Sequence, residues 1–279
     1  LVARWLRRWS PDEVLRIVEH DNSPAPISFR PLGIPVPEAA ARLKEGGWGF
    51  REVGSGIPCY YLDPGTDPAR ILEAVPGIMQ DPAAALVTLY ADLPSGGTVG
   101  DLCAAPGGKS LAVAQSGAYV LAADRSWRRL RLLKENLCRV GGRVDLVVAR
   151  AEEPPFRELQ NLLLDVPCTG TGTLRRNPDA RWRLTPDAVD DLVGLQGEML
   201  EAGSRLVPPG GVLIYSTCSL EAEENQVQVE AFLNEHPEFS VVETGIVSGE
   251  FLDPEGRLEV TPLHRGSDGA FAARMVRKP

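Results

Sequence analysis

The chain has 279 residues, 43% of them hydrophobic, with 29 basic and 38 acidic side chains and a formal net charge of −9. That length holds one large α/β domain plus a smaller one. No apolar run approaches the roughly 20 residues of a bilayer span, and Leu1 to Trp9, interrupted by three arginines, lacks the apolar core of a signal peptide.

In chain order, the first 80 residues predict a small α+β domain. A basic amphipathic helix is expected over Val2 to Arg8 and a second over Pro11 to Asp21. A proline-dense stretch from Pro24 to Pro37 follows, then a third helix from Pro37 to Glu45 and a strand at Pro58 to Leu62. Asp81 to Leu93 predicts the helix that joins it to a second domain, residues 81–279. From Thr98 onward short apolar runs alternate with helical patterns, the signature of a mostly parallel, doubly wound Rossmann-like sheet. Strands are expected near Thr98 to Leu102, Tyr119 to Ala123, Val144 to Ala149, Leu162 to Asp165, Val212 to Ser216, Ser240 to Glu243 and Phe271 to Val276. Helices are expected over Lys109 to Gln115, Trp127 to Arg139, Pro186 to Leu206 and Glu221 to Asn234, with Thr185 capping the third. The acidic run Glu221 to Glu224 predicts a solvated helix start favoured by the helix dipole.

Five cysteines at irregular spacing fit a reducing compartment, and three histidines, none near a cysteine, give no zinc pattern. A cytoplasmic, monomeric protein without a metal is expected. The acidic balance is uneven: residues 1–80 carry 9 basic and 10 acidic side chains, 81–183 carry 14 and 11, and 184–279 carry 6 and 17. The middle segment is net positive, so a local face there can meet phosphates.

The loop Asp101 to Ser110 ends in Gly-Lys-Ser, but Cys103 stands where a P-loop needs glycine, which excludes that motif. A dinucleotide fingerprint is missing as well. What remains is a strand, a small-residue turn and a helix. Cys103, Ala104, Ala105, Pro106, Gly107, Gly108 and Lys109 let backbone approach a ligand closely, and the helix N-terminus can receive a carboxylate. One strand later Asp124, followed by Arg125, can accept hydrogen bonds from both hydroxyls of a ribose. Alone, Asp124 reads equally well as a helix N-cap; with the loop, it gives the layout for a nucleoside-type cofactor.

Two thiols end later strands. Cys168 closes Asn161 to Pro167, a run that includes Asp165, and Cys218 closes Gly211 to Thr217. A free cysteine is ordinarily a small buried hydrophobe. Pro-Cys-Thr-Gly-Thr-Gly and Ser-Thr-Cys-Ser instead surround these two with residues that set the backbone and leave room for a ligand, at the strand ends where α/β sheets place their chemistry. Arg175, Arg176, Arg181, Trp182 and Arg183 follow Cys168 and suit phosphate contacts beside a stacking surface, a salt-bridged loop being the alternative. Arg128, Arg129, Arg131 and Lys134 read as a solvated helix face.

These blocks, together with Glu223-Glu224-Asn225 and Ser267 to Phe271, resemble the Sun-type (NOL/NOP/Sun) RNA cytosine-5 methyltransferases, most closely the bacterial RsmB-like enzymes of 16S ribosomal RNA. The resemblance is close over residues 98–225 and looser elsewhere. It implies S-adenosylmethionine in the loop site, with Ala104 to Lys109 around the amino-acid part and Asp124 on the ribose. It implies Cys218 as nucleophile, Asp165 on the amide edge of the ring and Cys168 in the release step. It departs from the family at Val147 to Ala151, where an aspartate for the adenine amino group is usual, and at Gln160-Asn161, where Phe-Asp is usual. RsmB-like members often carry an added N-terminal helical RNA-binding domain, which the chain starts too late to include, so a trimmed form is expected. Transfer RNA as substrate, or a non-catalytic role in ribosome assembly, are the alternative functions; the presence of both thiols argues against the second.

Overall fold

The computed structural model describes residues 1–264 and 266–279. The chain opens with helices α1 (Val2–Trp5) and α2 (Pro11–Asp21), the latter started by a capping box in which Ser10 and Glu13 satisfy each other's backbone N–H groups. A small antiparallel sheet with flanking helices follows: β1 (Ser28–Pro31), α3 (Val36–Glu45), β2 (Phe50–Glu52), β3 (Tyr60–Leu62), α4 (Pro68–Ala74) and β4 (Gly77–Met79), in the order β2-β3-β1-β4. Phe29, Leu43, Tyr60 and Ile71 are buried at its centre. Helices α1 and α2 pack elsewhere, with Trp5, Val14 and Ile17 against Leu174 and Leu220 of the larger sheet's loops.

Helix α5 (Pro82–Ala91) leads to that larger sheet. Its elements are β5 (Thr98–Asp101), α6 (Gly108–Gln115), β6 (Tyr119–Asp124), α7 (Trp127–Val140), β7 (Arg143–Val148), β8 (Asn161–Asp165), α8 (Ala180–Arg183), α9 (Pro186–Ser204), β9 (Val212–Thr217), α10 (Gln226–Glu235), β10 (Phe239–Val241), β11 (Leu258–Val260) and β12 (Ala270–Arg277). The strand order is β10-β12-β9-β8-β5-β6-β7, with β11 also paired to β12. Strands β5 to β9 run parallel, while β12 is antiparallel to β9, β10 and β11. The inner strands are covered on both faces. Leu162, Leu163 and Leu164 on β8 and Leu213, Ile214 and Tyr215 on β9 are all buried, which is why these strands read as unbroken apolar runs. Burying each such side chain contributes about 1.5–3 kcal/mol.

The order reverses at β5 and β8, since β6 and β7 extend one way and β9 the other. Loops leaving the carboxyl ends of β5 and β8 therefore part and open a crevice, the position where such sheets bind ligands. The backbone of the predicted turn is built for this place. Gly107 has φ +107°, and a Cβ there would stand 2.6 Å from Leu133 Cγ on α7.

Several elements differ from the predicted ones, and β2, α4, α8 and β11 were not foreseen. The first helix is shorter, ending at Trp5, and beyond it only isolated turns follow. The segment Glu221 to Asn234 is not one helix: a single 3-10 turn at 222–224 ends at Asn225, with φ −115° and ψ −103°, and α10 starts afterwards. Asn225 leaves helical geometry because its side chain accepts from Thr217 Oγ1 at 2.6 Å and donates to the Ser219 carbonyl at 2.8 Å. The acidic run is solvated only at Glu223, since Glu221 and Glu224 are buried. β1 and β4 were not predicted; the first lies in the proline-dense stretch, with Pro31 at its last position.

Two local contacts yield tests. The Ser110 hydroxyl donates to Asp101 Oδ2 at 2.5 Å, stapling α6 to the end of β5. Burial pushes the Asp101 carboxyl up to about 7, against the opposing effect of that hydrogen bond. The folded chain thus keeps a proton that the unfolded chain releases near pH 4, and this group's contribution to stability is lost as pH rises from there towards 7. Asp101→Asn is expected to gain about 2 kcal/mol over the wild type between pH 5 and pH 7.5, measured by urea unfolding at both pH values. Gly172 donates its N–H to the Cys218 carbonyl at 3.0 Å and accepts from Gly269 N–H at 2.7 Å. A Cβ at 172 would stand 2.7 Å from both the Cys218 oxygen and Gly269 Cα, so Gly172→Ala is expected to cost about 1–3 kcal/mol in the same assay.

Candidate active site

Strands β8 and β9 pair in parallel with Asp165 opposite Ser216, and the next rung is the Val166 N–H donating to the Ser216 carbonyl at 3.0 Å. Both chains then turn away from the sheet side by side, which brings Cys168 Sγ to 3.3 Å from Cys218 Sγ. The Cys218 N–H also donates to Cys168 Sγ at 3.3 Å. The Cys218 thiol is held below its ordinary value, first by the hydrogen bond from Cys168 and further by the Lys109 ammonium, against burial and the Asp165 and Glu224 charges. The Cys168 thiol is pushed well above its ordinary value by that same hydrogen bond, by burial and by the neighbouring Cys218 and Glu224 charges. The pair therefore ionises first at Cys218, with Cys168 as its S–H donor.

Lys109, from the first turn of α6, donates from Nζ to Asp165 Oδ2 at 2.7 Å, and the Ser216 hydroxyl donates to Asp165 Oδ1 at 2.9 Å. Burial works against the Lys109 ammonium, but the charge and hydrogen bond of Asp165 outweigh it and leave the group more basic than usual. Lys109, Asp165, Cys168 and Cys218 thus meet where β5, β8 and β9 end, although they lie up to 109 positions apart in the chain.

Beside them opens a cleft of about 240 Å³. Cys103, Ala105, Asp124, Arg125, Asp165, Cys168 and Cys218, all predicted, line it. Ala104, Pro106, Gly107 and Gly108 serve the turn instead: the Ala104 N–H donates to the Ala123 carbonyl at 2.9 Å, Pro106 is exposed, and a Cβ on Gly108 would stand 2.6 Å from Gln80 Nε2. Asp124 is buried. It accepts from Ala105 N–H at 3.3 Å and Ser126 N–H at 2.9 Å and faces Arg129 at 3.5 Å. Arg129 is therefore tied to the site rather than to a purely solvated helix face, and it also donates to the Ala105 carbonyl.

Sequence reasoning missed Glu152, Met199 and Pro167 on the wall of the cleft. Glu152 follows the strand where the expected aspartate is missing; burial opposes its charge, but a backbone N–H, Arg150 and the Arg125 charge lower it below the ordinary carboxylate range. The basic loop is divided. Arg175 donates to the carbonyls of Ser23, Pro24 and Gly266, Arg176 bridges Asp81 and Asp268 at 2.7 Å each, and Arg181 reaches Asn22 Oδ1 at 3.0 Å. Trp182, at 84% exposure, and Arg183, paired only with Asp179 of the same loop, face solvent. Among the described residues no group of acidic, cysteine and histidine side chains could hold a metal ion, and no helix is long and apolar enough to cross a membrane.

Comparison with known proteins agrees with this geometry. The family model for 16S rRNA methyltransferase RsmB/F matches residues 90–276. A ribosomal RNA small subunit methyltransferase B of Yersinia pseudotuberculosis is 36% identical over 206 residues, and the same holds for one of Yersinia pestis. The match covers 72% of this chain and 47% of theirs, so the chain spans about half the length of these curated relatives. A methyltransferase homologue from Pyrococcus horikoshii superposes with a TM-score of 0.82 at 29% identity, covering 99% of this chain and 94% of that one. NSun6 from the same organism, solved with SFG, has a TM-score of 0.84 at 18% identity, covering 100% and 98%, and so shares the fold. With the family model matching two-thirds of its sequence, the chain belongs to the RsmB/F family of 16S rRNA methyltransferases, whose methyl donor is S-adenosylmethionine.

Proposed function

We propose that the chain methylates carbon 5 of a cytosine in 16S ribosomal RNA through a covalent adduct on Cys218. The observation that carries this reading is the pair of thiols 3.3 Å apart, of opposite acidity, beside the Lys109 and Asp165 ion pair. Carbon 5 of cytosine is a poor nucleophile. Addition of the Cys218 thiolate to carbon 6 forms a C–S bond and moves the ring's electrons to carbon 5, which becomes enamine-like. Asp165 meets the amide edge of the ring and positions it, while the Lys109 ammonium holds Asp165, favours the Cys218 thiolate and steadies the negative charge that develops on the ring.

The residues of the cleft fit the methyl donor: a small-residue turn that only glycine can complete at Gly107, a buried Asp124 carboxylate with capacity to accept ribose hydroxyls, and the first turn of α6. When bound there, S-adenosylmethionine supplies an electrophilic methyl group to carbon 5. Cys168, once its own proton has passed to solvent, accepts the carbon 5 proton as thiolate, the double bond between carbons 5 and 6 re-forms, and the C–S bond breaks to return Cys218 as thiolate. Arg125 and Glu152 line the same cleft and are assigned to the nucleoside part of the donor.

A cytosine can enter only if it is unpaired or flipped, because the thiols lie inside a cleft. Trp182 and Arg183 are the exposed members of the basic loop and are assigned to stacking and phosphate contact, with Arg175, Arg176 and Arg181 shaping the loop. The small sheet within residues 1–80 is assigned to RNA binding, and the enzyme is proposed to act as a cytoplasmic monomer. Ribosomal rather than transfer RNA is favoured by the names of the family and of the curated relatives.

The decisive experiment incubates the protein with S-adenosylmethionine and 16S RNA carrying 5-fluorocytidine, whose fluorine blocks release. A covalent complex on a denaturing gel is expected for wild type and Cys168→Ala and no complex for Cys218→Ala; the reverse would move the nucleophile to Cys168, and no complex in any variant would reject the covalent route. Lys109→Met removes a charge that favours the thiolate. Its rate of adduct formation is expected to fall by about tenfold at pH 7, with the rising limb of the pH profile displaced to higher pH.

A further inference from the structure

Glu224 is a carboxylate with 0% exposure. Among the described residues no lysine, arginine or histidine pairs with it. Such a group is costly to bury unless it is fully hydrogen-bonded, and losing a charge there would normally relieve the fold. All its partners are neutral and all lie on the Cys168 side of the site. Oε1 accepts from Thr169 N–H at 2.8 Å and from Gln196 Nε2 at 3.0 Å, and Oε2 accepts from the Thr169 hydroxyl. Gln196 in turn donates to the carbonyl of Pro167 at 2.9 Å. The residues on either side of Cys168 are thus both fixed through one carboxylate.

Glu224 itself is anchored beside Cys218. The Tyr215 hydroxyl donates to its carbonyl at 2.6 Å, and the next residue, Asn225, accepts from Thr217 and donates to the Ser219 carbonyl. The charged and titratable groups around the two sulfurs are therefore Lys109 from α6, Asp165 from β8, Tyr215 from β9 and Glu224 from the loop before α10. Lys109 is the cation of this set and favours the Cys218 thiolate, whereas the Glu224 charge opposes ionisation of both thiols.

We propose that Glu224 is a positioning residue that divides the labour between the two thiols: its bonds to Thr169 and Gln196 fix the turn carrying Cys168, so that Cys218 attacks the pyrimidine with Cys168 as its S–H partner. This rests on the assignment of Cys218 as nucleophile. Glu224 acts through Thr169 and Gln196 rather than by contact with either sulfur. An acidic run that reads as solvated helix start thereby becomes part of the machinery.

The test is competitive alkylation of the folded, full chain by iodoacetamide at about pH 7.5, with the rate at each cysteine read by peptide mass spectrometry. Wild type is expected to react faster at Cys218 than at Cys168 by about tenfold or more. Glu224→Gln keeps the shape and removes the charge, and the ratio of rates is expected to fall by about fivefold or more. Glu224→Asp keeps the charge but withdraws it from Thr169, and the ratio is expected to fall by about twofold, which tests the same idea should the first variant fold poorly. Unchanged ratios in a variant with wild-type melting behaviour would overturn the proposal while leaving Cys218 as nucleophile. A faster Cys168 in the wild type itself would overturn the nucleophile assignment and this proposal with it.

Discussion

The register of β8 against β9 is the constraint on which the site depends. Asp165 lies opposite Ser216, and the two strands leave the sheet within three residues of that pair. A slip of one residue would turn every side chain on one strand to the other face. It would separate the Ser216 hydroxyl from Asp165 and carry Cys218 away from Cys168. The register is held by apolar burial on both faces and, past the strand ends, by hydrogen bonds that cross from one loop to the other. Gly172 N–H donates to the Cys218 carbonyl, Leu220 N–H donates to Thr171 Oγ1 at 2.8 Å, and the Thr169 and Ser219 hydroxyls share a bond of 3.0 Å.

That arrangement links the small-residue turn of the cleft and the proposed nucleophile through a single ion pair. Lys109 belongs to the helix that starts at the small-residue turn beside the cleft, and Asp165 ends the strand that leads to Cys168. A change at either residue is felt on both sides of the cleft. Removing one partner leaves the other charge without its counterion in a partly buried site, a far more costly condition than losing a surface ion pair.

Much of this was legible from residue order alone. The central strands announce themselves because they are buried on both faces and bounded by glycine, proline and serine turns. Cys168 and Cys218 stand out because each follows such a strand. Their approach to 3.3 Å was not legible, since it depends on which strands become neighbours. The burial of Glu221 and Glu224 was hidden for a similar reason. Glu221 is held by Arg4 Nε at 2.7 Å and Trp5 Nε1 at 3.1 Å, more than two hundred positions upstream, and Glu224 by Thr169 and Gln196. The inward turn of Arg175 was hidden because its acceptors are backbone carbonyls, which every residue possesses and no pattern marks. β1 and β4 are short antiparallel strands of a small sheet, where three or four residues give too little alternation to read.

Strand β12 occupies an interior slot between β9 on one edge and β10 with β11 on the other. The residues just before it supply Gly269, packed on Gly172, and Asp268, bonded to Arg176. During synthesis the chain emerges from Cys218 to Arg277 over about sixty residues, which at roughly 5–20 residues per second takes on the order of 3–12 s. Throughout that interval β9 presents an open apolar edge, and the turn beside Cys218 lacks its support. A nascent chain therefore has both thiol-bearing turns made before the strand that closes the β9 edge exists.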